Sequence, residues 1–169
     1  MSNENIFEKW DNVIDTAGLT EDINEASKNG GTGQYKEVPH GDYEVAINQM
    51  ELKASKKGDP MVSIWFKIVS DGEFNGSMIF FNQVITQGFQ IHIVNEMLRM
   101  IVSEMADASA YWQRIDQVKE SFSYKAYGNL IMDIFEEVAE SFEYGLRYTV
   151  NSKNKSFSNY EIKEVFVLE

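Results

Sequence analysis

The sequence predicts a mainly-β domain: five strands with a helical insert between the third and the fourth. Three observations carry this. Apolar residues alternate with period two in residues 43–52 and 61–68, and SMIFFNQVIT at 77–86 reads as a third strand. From residue 89 the period changes to that of a helix, and from residue 144 it returns to two. Glycine-, asparagine- and lysine-rich breaks separate the alternating runs, as turns do.

The first strand opens at Gly41-Asp42, with Tyr43, Val45 and Ile47 in one phase. The phase then slips to Met50 and Leu52, the signature of a β-bulge, which bends a strand. Lys56-Lys57-Gly58-Asp59-Pro60 is a turn. The second strand sets Val62, Ile64, Phe66 and Ile68 on one face and Met61, Ser63, Trp65 and Lys67 on the other. Asp71-Gly72 and Asn75-Gly76 are turn signals, and residues 77–86 form the third strand.

Val94, Met97, Leu98, Ile101, Val102 and Met105 form a helical stripe, so residues 89–105 are expected as a helix on the core. Residues 110–140 read as further helix, with a break near Tyr127-Gly128. Tyr144, Leu146, Tyr148 and Val150 then alternate with Gly145, Arg147 and Thr149, and FSNYEIKEVFVL is the last strand. The order β-β-β-α-α-β-β is that of a five-stranded OB-like Greek-key barrel. An open mixed sheet gives the same string.

At the N-terminus, Ile6, Phe7, Trp10, Val13, Ile14 and Ala17 fall at helical spacing, which predicts an amphipathic arm over residues 1–17. Residues 18–40, with Gly30, Gly31 and Gly33, read as a flexible linker. The domain itself covers residues 41–169, with the helical insert at about 89–140.

Composition limits the function. The 169 residues are 43% hydrophobic and 13% aromatic, enough for one real core. With 27 acids against 15 bases the net charge is −12, which excludes a wholly basic surface but not a local basic strip. There is no cysteine, so disulfides and thiolate metal sites are excluded. No apolar run reaches membrane-spanning length, and the start lacks the pattern of a signal peptide, so an intracellular protein is expected. His40 and His92 are the sole histidines and lack metal-ligand spacing. Asp133, Glu136, Glu137 and Glu140 share a helix face, read as solvated surface rather than a metal site. The methionines Met97, Met100 and Met105 read as core. No nucleophile elbow, phosphate loop or dinucleotide fingerprint is present, so neither an enzyme activity nor a cofactor is expected.

The blocks GDYEVAINQMELKASKKGDPMVSIWFKIV, FQIHIVNEMLRMIV and FEYGLRYTVNSKNKSFSNYEIKEVFVLE resemble a family of small phage proteins. The patterns KxSKKGxPM and EYGLxYxxNxKxxxFxNYEIxEVF carry most of the likeness, which covers about residues 38–169. That family is encoded beside recombination and replication genes of phages of low-GC Gram-positive bacteria. It was long described only as a domain of unknown function and is now regarded as single-stranded-DNA-binding-like. The resemblance implies an OB-like barrel that binds single-stranded DNA in the cytoplasm of the bacterial host.

Nonspecific single-strand binders need cations along the backbone and aromatic faces for bases, each stack contributing about 1–3 kcal/mol. Trp65 and Lys67 share the face away from the apolar side of their strand. Phe80 and Phe81 are adjacent, so one points outward, and Phe80 with Asn82 is the choice. Lys53, Lys56 and Lys57 flank the first hairpin, while Arg147, Lys153, Lys155 and Lys163 sit on the last. Residues 144–163 hold four bases and one acid, Glu161, whereas residues 129–143 hold five acids and no base. The first 30 residues hold seven acids, Glu4, Glu8, Asp11, Asp15, Glu21, Asp22 and Glu25, against Lys9 and Lys28.

The nucleic-acid contacts expected are therefore Trp65, Lys67, Phe80, Lys53, Lys56, Lys57, Arg147, Lys153 and Lys155. Competing readings place Trp65 under the helical insert and treat the lysines as edge-strand protection. The arm is read either as a recruiter of a recombinase, nuclease or helicase, or as a segment that docks on the barrel or drives self-association into a homo-oligomer. The alternative function is a protein-interaction adaptor of the replication or recombination machinery that has lost DNA binding. A DNA-mimicking inhibitor is a third reading, motivated by the −12 charge alone.

Overall fold

A computed structural model describes residues 38–150 and 158–168. The predicted arm 1–17, most of the linker, and Lys153 and Lys155 lie outside the described residues. Five strands form one antiparallel sheet: β1 (Gly41–Ala54), β2 (Pro60–Ile68), β3 (Met78–Val84), β4 (Phe142–Val150) and β5 (Ser158–Val167). Their order across the sheet is β3-β2-β1-β4-β5. Among the described residues β3 and β5 share no ladder, so the sheet is open.

The predicted phase slip is real. The β1–β2 register shifts between Ile47 and Gln49, and Ile47 and Met50 are both buried on either side of it. A second irregularity lies in β4–β5, between Gly145 and Leu146. Bulges raise local twist, and here the sheet curls far enough to bring its two edges together at one point. The Phe81 ring on β3 and the Tyr160 ring on β5 meet edge to face, with centroids 5.1 Å apart.

The insert is three helices, the stretch 110–140 being split in two: α1 (Gly88–Ile101), α2 (Ala108–Glu120) and α3 (Tyr124–Val138). The expected helix 89–105 stops at Ile101, and Val102 and Met105 reach the core from the following turns. The expected break at Tyr127-Gly128 is corrected. It falls at Ser121–Ser123, where the Ser123 hydroxyl accepts the Ala126 N–H and caps α3. Gly128 lies inside α3 and faces Leu52 of β1.

The core lies in the concavity between the curled sheet and these helices. Val62, Ile64, Phe66, Ile68 and Phe81 of the sheet meet Val94, Leu98, Ile101, Ile131 and Ile134 of the helices. Met97 and Met105 are buried as expected, whereas Met100 is 40% exposed. Two buried tyrosines are satisfied across element boundaries. Tyr144 Oη donates to the Ile101 carbonyl at 2.9 Å, serving one of the carbonyls a helix end leaves open. Tyr127 Oη donates to Asn95 Oδ1 at 2.6 Å. No helix among the described residues is long and apolar enough to cross a membrane.

Candidate nucleic-acid interface

The site is built on the face of β1–β3 turned away from this core. Alternation puts Ser63, Trp65 and Lys67 of β2 on it. Register sets Trp65 opposite Phe80 of β3 and Gln49 of β1, Ser63 opposite Asn82, and Lys67 opposite Met78 and Ala46. Phe81, one residue from Phe80, is buried in the core, so the outward choice of Phe80 holds.

The two outer aromatics form one unit. Trp65 and Phe80 pack edge to face, with centroids 5.5 Å apart and planes at 86°, the geometry ring quadrupoles favour. Trp65 Nε1–H donates to Ser63 Oγ at 3.1 Å, and the Ser63 hydroxyl donates to Asn82 Oδ1 at 2.7 Å. This short relay fixes the indole and leaves neither buried donor unpaired. Lys53 Nζ lies 5.8 Å from the indole centroid and 3.7 Å from Glu51 Oε1.

Trp65 does not pack under the helical insert: it is absent from the core and lies across the sheet from it. Nor is it an open platform, for it is only 6% exposed. Phe80 is half-buried. The side chains of this face are therefore Phe80, the rim of Trp65 and the lysines around them.

The cations are strung along one ribbon. Lys56 and Lys57 are exposed at the β1–β2 turn. Lys53, opposite Met61, lies next, then Trp65, and Lys67 is exposed near the far end of β2. From Met61 to Lys67 the strand advances roughly 20 Å. Lys56, Lys57 and Lys67 make no ion pair with other described residues.

Arg147 is arranged differently. On β4 it faces Asp42 of β1, and its Nε donates to Asp42 Oδ1 at 3.1 Å. That carboxylate also holds the guanidinium above its ordinary range. Arg147 is thus a paired cation one strand away from the lysine track. Lys163 pairs in the same way with Glu161, at 3.5 Å.

On the acidic helix face Glu136, Glu137 and Glu140 are exposed. Asp133 bonds Arg114 at 3.0 Å, and burial, with Glu137 adding to it, raises the Tyr111 phenol. No cluster of potential metal ligands occurs among the described residues. His40 bonds Ser158 Oγ at 3.1 Å and lies against Tyr148, tying the approach to β1 onto β5.

Sequence reasoning missed two features. One is the place of Lys53 beside Trp65, which counting outward from the five-residue turn could have found. The other is an exposed apolar line, Phe89, Ile93 and Met100 of α1 with Trp112 of α2. Its helical spacing was there to read, but the buried stripe of the same helix dominates the pattern.

A family model described as a protein of unknown function (DUF669) matches residues 22–101. The matched stretch contains β1, β2, β3 and α1, and with them the lysine track, Trp65 and Phe80. No curated protein and no solved structure matches the chain.

Proposed function

We propose that this chain binds single-stranded DNA without sequence preference, along the outer face of β1–β3, and coats strands made during phage replication or recombination in the cytoplasm of the bacterial host. The observation that carries the reading is the Trp65–Phe80 pair, held by the Ser63–Asn82 relay and flanked by Lys53, Lys56, Lys57 and Lys67 along one ribbon. Phosphates follow the lysines, while bases contact Phe80 and the rim of Trp65. A track of roughly 20 Å suits a short run of nucleotides, at the low end of the about 4–16 that one OB-type fold covers.

The strand order supports an OB-like reading of the sheet. β1 is central, β2–β3 and β4–β5 are hairpins on its two sides, and the Phe81–Tyr160 contact lies where a closing β3–β5 ladder would run. The resemblance of residues 38–169 to the single-strand-binding-like phage family points the same way. No reaction or cofactor belongs to this function.

The test is fluorescence anisotropy with a labelled oligo-dT of about 30 nucleotides, long enough for several contacts. It is run at two salt concentrations beside a duplex of equal length. Micromolar or tighter binding to the single strand, weakened by salt and absent on duplex, is expected. No binding by folded protein at low salt overturns the reading. It would leave the adaptor, which the exposed line of Phe89, Ile93, Met100 and Trp112 favours.

A further inference from the structure

A line of apolar side chains stands in solvent on the helices. Phe89, Ile93 and Met100 of α1 and Trp112 of α2 are between 40% and 62% exposed. On α1 they fall with Glu96 at intervals of four, three and four, so Phe89, Ile93, Glu96 and Met100 stand one above the next on a single face. That face runs about 16 Å, three turns of helix. Val94, Leu98 and Ile101 bury a different face of α1, so the exposed line is separate from the core stripe.

α2 extends the line at its far end. The Trp112 Nε1–H donates to the Arg99 carbonyl at 3.4 Å, one residue before Met100, and the Arg99 guanidinium pairs with Asp116, one turn further along α2. These two bonds hold the indole beside the last turn of α1. Exposed apolar side chains scattered singly are ordinary; a set in line, with an aromatic at each end, marks a surface that a partner covers.

Charge decides what kind of partner. Glu96 stands inside the line, and among the described residues it pairs with nothing stronger than the His92 ring, 4.0 Å away. Glu104 and Asp107, in the connection to α2, are exposed and make no ion pair with other described residues. The cations on these faces are Arg99, already held by Asp116, and Lys119, two turns past Trp112 and next to Glu120. Such a surface repels nucleic acid and anionic lipid. A second copy would bring the same acids against each other, and each chain carries a net charge of −12. A partner with cations beside an apolar stripe complements both the line and its acids.

We infer that the line Phe89–Ile93–Met100, with Trp112, is a docking surface for a cationic amphipathic helix of a partner protein. The partner helix lies lengthwise on α1, as helices pack. Its apolar residues, at helical spacing, cover Phe89, Ile93, Met100 and Trp112, and its lysines or arginines meet Glu96, Glu104 and Asp107. An extended segment is less suited, because a helix face offers no strand edge to pair with. The lysine ribbon of β1–β2 lies across the sheet from the helices, so both surfaces can be occupied together. The inference does not rest on the DNA-binding reading.

The test uses the full-length chain and a fluorescein-labelled helical peptide of about 18 residues, with leucines along one face and lysines flanking them. One control peptide has the same composition with leucines and lysines alternating; another has glutamate in place of lysine. Anisotropy should show micromolar binding of the first peptide and much weaker binding of both controls. Phe89→Ser, at an exposed side chain, should weaken binding about tenfold, as truncating an interface anchor does. Glu96→Lys should weaken it similarly and let the glutamate peptide bind. Circular dichroism matching the parent's shows that each variant folds. Equal binding of the two lysine peptides, or parent-like binding by both variants, overturns the docking. So does a dimer in sedimentation velocity that Phe89→Ser abolishes, which gives the face to a second copy. A photo-cross-link from p-benzoylphenylalanine at the Ile93 position to residues 1–37 of the same chain gives it to the N-terminal segment and also overturns the docking. Peptide binding that persists under saturating oligo-dT supports two separate surfaces, and failure of the parent to bind oligo-dT overturns the DNA-binding reading alone.

Discussion

The rings of Phe81 and Tyr160 meet edge to face, centroids 5.1 Å apart, although they stand on β3 and β5, the opposite edges of a five-stranded sheet. Three strands separate them in the hydrogen-bonded order, so the contact measures how far the sheet has curled. Twist accumulates from strand to strand, and the irregularities at Ile47/Gln49 and Gly145/Leu146 add to it. Side chains bridge the gap where main-chain bonds do not.

If this contact helps hold the curl, the two residues are energetically coupled. Phe81→Ala should cost about 3–5 kcal/mol, as large-to-small core changes do. Tyr160→Ala should cost less, because Tyr160 is only half-buried. A double-mutant cycle by urea denaturation should give a coupling of about 0.5–1.5 kcal/mol, the usual range for aromatic pairs. A coupling near zero would show that the curl is set by the bulges alone.

Burial pushes the Tyr160 phenol up from 10.0 to about 12, and it also raises Tyr111, Tyr127 and Tyr144. Below pH 10 these groups are protonated in both folded and unfolded chains and add no pH dependence. Above it the unfolded chain releases protons that the folded chain keeps, so unfolding is favoured increasingly as pH rises. For Tyr160 the loss runs from pH 10 to about 12. Melting temperature should stay flat through pH 8–9 and fall steeply above pH 10. Ultraviolet titration of the phenols should show this group ionising late or only with unfolding. Normal ionisation of every tyrosine near pH 10, with the fold intact, would contradict the burial.

Much of this architecture was legible in the chain, and what was not has identifiable causes. The slip from Ile47 to Met50 announced the β1 bulge, because a half-buried strand cannot change phase without one. The outward Phe80 and inward Phe81 followed from alternation alone. The helix break was misplaced because a glycine outweighs serines in a local reading. In the fold Gly128 lies inside α3, beside Leu52, while Ser123 makes the cap. The β3–β5 approach is a sum over five strands that no local pattern encodes. The same holds for Trp65: its face could be read from the sequence, but its burial, which leaves it 6% exposed, could not.

Two glycines should respond to alanine with opposite signs. A Cβ at Gly128 would sit 3.6 Å from Leu52 Cδ2, an ordinary contact, in the interior of a helix. Gly128→Ala should therefore stabilise by about 0.5–1 kcal/mol, mainly by restricting the unfolded chain. Gly58, in the lysine turn, has φ +89 with nothing within 4 Å. Space is free there but the backbone is left-handed, so Gly58→Ala should destabilise by about 1 kcal/mol. Thermal denaturation of the two variants checks both, and a loss of stability at Gly128 would mean that α3 and β1 already touch too tightly to admit a methyl.

The salt dependence of binding separates the lysine track from the paired cations. Lys67 is exposed and makes no ion pair with other described residues, so a phosphate there displaces no ion-pair partner among them. Arg147 must first give up Asp42. On the DNA-binding reading, Lys67→Glu should weaken oligo-dT binding at every salt concentration while leaving stability within about 0.5 kcal/mol of the parent, as surface changes usually do. It should also flatten the plot of log affinity against log salt by about 0.7 for each phosphate left without its cation. Lys56→Glu and Lys57→Glu should act alike, whereas Arg147→Gln should change the slope far less. Anisotropy titrations across a salt series read all four variants. Equal slopes for all of them would place the phosphates somewhere other than the β1–β2 ribbon.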